Sequence, residues 1–122
     1  MTQQRSLGEE AEVATKRRLV AENGSRHRPE LARALLDLSR AYEQGDRMED
    51  ALATAHDGVS TLSSDFLADP RRFAAPMRTL IAHYLALVQR SHARADDVLL
   101  APIAQALGDM TRAEDEAEDP NG

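Results

Sequence analysis

The chain has 122 residues, of which 42% are apolar and 30% charged, with a net charge of −6 and no cysteine. That is room for one domain with an ordinary globular balance, and without cysteine there is no disulfide, thiol catalysis or thiolate metal site. No apolar run approaches the ~18 residues of a membrane helix, and the opening MTQQRSLGEE lacks the basic-then-apolar order of a secretory leader, so the cytoplasm is the expected compartment.

No period-2 stretch stands out along the chain, and apolar residues recur at three and four instead, which predicts an all-α fold. Residues 1–5 are expected to be a disordered N-terminus. A first helix is predicted over residues 7–22, with Ser6 and Glu9 as its capping box and Asn23-Gly24 as its end. Its stripe of Leu7, Ala11 and Ala14 is thin, which places it at the edge of the fold. A second helix carries Leu31, Ala34, Leu35, Leu38 and Tyr42, with Pro29 at its start and Gly45 at its end.

The third helix has the cleanest spacing. Met48, Leu52, Ala55, Val59, Leu62 and Phe66 advance by alternating steps of four and three, so all six share one face. Asp46 and Glu49 are its predicted cap and partner, and Asp69-Pro70 closes it. The fourth helix presents Met77, Leu80, Ile81, Tyr84, Leu85 and Val88, the widest apolar stripe, and is placed centrally. The fifth carries Leu99, Ile103, Ala106, Leu107 and Met110 and is expected to start near residues 94–96 and kink at Pro102. Five helices joined by short loops predict an antiparallel array over residues 6–112. Residues 113–122 hold five acids and no base, while the remaining chain balances to −1. They are expected to form an acidic, disordered tail.

The chain also repeats itself weakly. A shift of 46 pairs Leu31 with Met77, Leu35 with Ile81, Leu38 with Tyr84 and Tyr42 with Val88. A shift of 47 pairs Pro29 with Pro76, Ala51 with Val98 and Leu52 with Leu99. Two helix-turn-helix units follow, residues 29–67 and a degenerate copy at 75–111, preceded by a half-unit at 6–24. The stretch RPELARALLDLSRAYEQGDRMEDALATAHDGV resembles a tetratricopeptide repeat. Leu35, Leu38, Ser39 and Tyr42 fall on the first-helix signature, and Ala51, Ala55 and Gly58 fall on the second. The period exceeds the usual ~34 residues and is similar to the long-repeat variant of actinobacterial proteins.

The resemblance implies a non-catalytic interaction module whose first helices line a groove for a partner protein or peptide. By that resemblance the groove-facing positions are Arg33, Leu36, Asp37 and Arg40, with Gln44 a turn later. Their counterparts are Thr79, Ala82, His83 and Ala86, followed by Arg90. The second unit lacks basic residues at most of these positions, which argues against a chaperone-type clamp. Stack ends need covering, so the apolar residues of 99–110 point to a homodimer or a docked partner.

Other functions find less support. His27, His56, His83 and His92 form no spaced ligand set, so no metal or other cofactor is expected. Neighbours on a helix point about 100° apart, so His56 and Asp57 make no relay. There is no glycine-rich phosphate loop and no nucleophile elbow, and the chain is read as a non-enzyme. Residues 16–47 hold eight bases and five acids, with Arg17, Arg18, Arg26 and Arg28 close together. That excess is small for nucleic acid, and Tyr42, Tyr84, Phe66 and Phe73 all read as core. Neither nucleic acid nor a membrane is an expected partner. The rival reading is a regulatory subunit binding a small molecule in an apolar pocket by His83 and Tyr84.

Overall fold

A computed structural model describes residues 6–118, which form five α-helices and no strand. They are α1 (Leu7–Asn23), α2 (Arg28–Gln44), α3 (Met48–Ala68), α4 (Pro70–Ser91) and α5 (Asp97–Glu118). A short 3-10 turn, Gly24–His27, joins α1 to α2. Gly24 takes φ 69°, a left-handed value that suits glycine at a helix end. The expected N-terminal segment 1–5 and the last residues of the expected tail, 119–122, lie outside the described residues.

Consecutive helices are antiparallel, as cross-helix pairs show. Arg28 near the start of α2 reaches Asp65 near the end of α3, with Nε and Nη2 on the two carboxylate oxygens at 3.1 and 3.2 Å. Gly58 of α3 faces Leu80 of α4. Tyr42 at the end of α2 donates to Glu10 at the start of α1 at 2.9 Å.

One core runs through α2, α3, α4 and a single turn of α5. Ala51, Ala55, Val59, Leu62 and Phe66 of α3 fill its centre with Met77, Leu80, Tyr84 and Leu87 of α4. Burying such side chains contributes about 1.5–3 kcal/mol each against leaving them in water. Ala51 and Ala55 are fully buried, and a Cβ at Gly58 would lie 2.9 Å from Leu80 Cδ2 and 3.5 Å from Leu35 Cβ. Small residues on this stretch of α3 let α2 and α4 approach it from two sides. A smaller cluster of Val13, Leu31, Ala34, Leu35 and Leu38 joins α1 to α2.

Several local expectations change in the folded chain. In α1, Val13 is the buried residue, and Leu7, Ala11 and Ala14 all face solvent. Ser6 makes no capping bond to the backbone. Its hydroxyl meets Glu10 at 3.3 Å rather than forming a box with Glu9. Glu10 is drawn there because Tyr42 and Arg47 also converge on it. Arg47, not Asp46, occupies the N-cap position of α3 and makes no side-chain capping bond there, while Asp46 adopts φ 60° in the turn, a conformation that short polar side chains tolerate.

α4 starts at Pro70, where a fixed φ and a missing N–H both suit the first turn. Asp69 alone therefore links α3 to α4, a shorter connection than expected. α5 begins at Asp97 and runs unbroken through Pro102 to Glu118, so residues 113–118 are helical rather than disordered. Pro102 denies the Val98 carbonyl a helical donor, but Val98 is 88% exposed, where water supplies one. Val98 is paired by the repeat alignment with fully buried Ala51, so α5 does not reproduce the burial of α3. Ile103 is the α5 residue sunk in the core. Leu99, Leu100, Ala106, Leu107 and Met110 pack against it half-buried. Among the described residues no helix is long and apolar enough to cross a membrane.

Candidate functional site

α2 and α4 run side by side over α3, and their N-terminal halves stand apart. The opening is a groove of about 440 Å³, lined by Pro29, Ala32, Arg33 and Leu36 from α2, Leu62 from α3, and Arg72, Phe73, Pro76, Thr79 and Leu80 from α4. Its walls are mainly apolar. Its charged members are two arginines, one on each wall, and no carboxylate lines it.

Several arginines elsewhere on the helices are already paired, whereas Arg33 and Arg72, like Arg40, Arg71 and Arg78, are not. Arg28 is paired with Asp65, Arg17 with Asp57, Arg47 with Asp50 and Arg90 with Glu43. Among the described residues Arg33 and Arg72 meet no carboxylate within ion-pair distance. Arg72 lies instead over the Phe73 ring, 5.2 Å from its centroid. The ring is half-buried at the groove and not enclosed in the core.

At the C-terminal end α2 and α4 close on each other through polar groups. Ser39, fully buried in α2, donates from Oγ to the Ala51 carbonyl of α3 at 2.6 Å, and its oxygen lies 2.8 Å from His83 Nε2 of α4. Burial lowers the His83 pKa below 6.5; Glu43 opposes that shift and Arg40 adds to it. Arg90 pairs with Glu43 one turn further on. The groove is therefore open at one end and bridged at the other.

The residues assigned to one groove from the sequence divide three ways. Arg33 and Leu36 line the α2–α4 groove, with Leu36 buried to 8% exposure. Asp37, Arg40 and Gln44 lie on the α1 side of α2, where a shallow depression also takes in Glu9 and Ala41. His83 and Arg90 belong to the closed end. Pro29, Ala32, Leu62, Arg72, Phe73, Pro76 and Leu80 were missed, although the pairing of Pro29 with Pro76 already marked two facing positions on the groove walls. Phe73 read as core because an aromatic side chain carries no sign of which wall it covers.

His83 and Tyr84 face opposite sides. The Tyr84 hydroxyl accepts from the Asp96 backbone N–H at 3.0 Å, and its ring meets His56 edge-on at 5.8 Å between centroids. His56 Nε2 lies 2.8 Å from Asp96 Oδ2, while Asp96 Oδ1 accepts from the Leu99 N–H at 3.1 Å and so caps α5. The His56 hydrogen bond, then the Leu99 N–H, lowers the Asp96 pKa. Asp96, not neighbouring Asp57, is thus the carboxylate His56 finds. No nucleophile stands in this cluster, and no group of three or more metal-ligating side chains occurs among the described residues. In the basic patch, Arg17 and Arg28 are each neutralised by an α3 carboxylate.

No protein-family model, curated protein or solved structure matches the chain.

Proposed function

We propose that this chain is a non-catalytic protein–protein interaction module of the tetratricopeptide kind its sequence resembles, holding a segment of a partner in the α2–α4 groove. The observation that carries the reading is an apolar groove between two parallel helices, with a half-buried aromatic wall and charge at its rim. An exposed apolar surface of this form favours occupation over solvation, and a partly exposed aromatic beside arginine is typical of the residues that anchor partners. The reading gives the chain no reaction of its own.

The test uses Thr79, which lines the groove, is exposed, and bonds only back to the Ala75 carbonyl of its own helix. Thr79→Trp fills the groove from its exposed rim and replaces no core residue. Partners recovered with the unaltered chain from the native host should be lost with this variant. Partners that persist would refute the groove. A second reading places a small molecule in this groove rather than beside His83 and Tyr84, and is favoured by the groove's volume, which falls in the ligand-site range. It predicts a bound small compound in native mass spectra, displaced by the same substitution, and no protein partner.

A further inference from the structure

We infer that the α4–α5 end of the fold is a self-association surface. A second copy of this chain docks there about a two-fold axis parallel to the helices, so that the arginines of each α4 meet the carboxylates of the other copy's α5. This surface is separate from the α2–α4 groove and goes beyond the function proposed for it.

The first observation is charge. α4 carries Arg71, Arg72, Arg78 and Arg90 and no acid, whereas α5 carries six acids against the single base Arg112. The start of α4 lies beside the end of α5, and Arg71 and Arg78 border one cleft of about 510 Å³ with Met110, Ala113 and Glu114. Among the described residues no α4 arginine comes within ion-pair distance of an α5 carboxylate. Arg90 pairs with Glu43 of α2, and Asp109 with Arg112 of α5 itself. The charges also oppose their own helix dipoles. Arg71 and Arg72 stand in the first turn of α4, where the dipole is positive, and the last turn of α5 holds acids and no base, where it is negative. Opposite charges from a second copy relieve both ends.

The second observation is symmetry. A half-turn about an axis parallel to the two helices and between them lays α4 of one copy over α5 of the other and keeps them antiparallel. Positions 71–78 then oppose positions 109–116, and do so twice. A half-turn about the in-plane axis across the helices lays α4 on α4 and sets arginine against arginine. Only the first gives an attractive, self-complementary contact. The third is shape. Arg71, Ala75, Arg78, Ala82 and Leu85 advance by steps of four and three and are all exposed, so small and apolar side chains lie between the charges on one face of α4. On α5, Leu107, Met110 and Glu114 share a face, and its two apolar members are half-buried. Both helices have 22 residues and are about 33 Å long, so side by side they offer roughly 600 Å² per copy and about 1,200 Å² in the pair, at the lower end of specific interfaces.

Sedimentation equilibrium of the full chain tests this, with a species of twice the 13.4 kDa chain mass expected as concentration rises. Arg71→Glu/Arg78→Glu makes both helices acidic, and Glu114→Arg/Asp115→Arg turns the opposing stretch of α5 basic. Each variant alone should associate at least about tenfold more weakly, since like charges then meet, with the circular dichroism spectrum unchanged. Leu85→Asp, on the same exposed face, should weaken the pair while leaving all of these charges in place. An equimolar mixture of the two charge variants should pair again, because each supplies the sign the other lacks. A chain that stays single at every concentration, a pair that none of these substitutions weakens, or charge variants that remain apart when mixed would overturn the proposal. Assemblies that keep growing with concentration would overturn the closed two-fold.

Discussion

The Ser39 hydroxyl has one proton, and it goes to the Ala51 carbonyl; the oxygen must therefore accept from His83, which fixes the proton of neutral His83 on Nε2. One buried hydroxyl thus ties α2, α3 and α4 together. Ser39→Ala leaves both partners without it and should destabilise the fold by about 1–3 kcal/mol, measured by urea denaturation.

Stability should depend on pH through His83. Its pKa in the folded chain is lowered by burial below the ordinary 6.5, so the unfolded chain binds more protons there and stability rises with pH across that window. The contribution is present above about pH 6.5 and is lost as pH falls through the lower folded value. His83→Gln, which keeps a donor for Ser39, should flatten the slope of stability between about pH 5 and 7. An unchanged slope would mean that another group sets it.

Gly58 sits where α2 and α4 both close on α3. Gly58→Ala brings a methyl against the movable end of Leu80, a strain opposed by the ~1 kcal/mol that alanine gains over glycine within a helix. The net change should stay within about 1 kcal/mol. Gly58→Val adds two further carbons against Leu35 and the Ala32 carbonyl and should lose more than about 2 kcal/mol. Thermal denaturation of the two variants separates the cases.

α5 is held by Ile103 in the core and by Asp96 at its start. Ile103→Ala should cost about 2–5 kcal/mol and expose α5 to limited proteolysis before the other helices. Asp96→Asn keeps a capping oxygen for the Leu99 N–H but weakens the His56 pair. It should lower Tm less than Asp96→Ala.

Arg33 and Arg40 are seven residues apart and share a helical face; Arg33 borders both the α2–α4 groove and a depression beside α1, while Arg40 lines a depression beside α1. Arg33→Glu should abolish binding of a groove partner, and Arg40→Glu should leave it within about twofold. Titration calorimetry with the recovered partner reads the difference.

Periodicity along the chain determined that the fold is all-helical, and it placed the third helix and its buried face, because six apolar side chains at steps of three and four have one way to leave water together. The small residues Ala51, Ala55 and Gly58 were likewise readable as a close approach. Helix starts were harder, since Pro70 serves equally as a stop for α3 and a first residue for α4, and only packing of both helices decides between them. The site was divided by tertiary structure alone. Helical spacing says that Arg33, Asp37 and Arg40 share a face, but not that of the three Arg33 alone also lines the α2–α4 groove. The pairing of His56 with Asp96, forty residues away, and of Ser39 with His83 depends on where helices cross, a distance that no local pattern encodes.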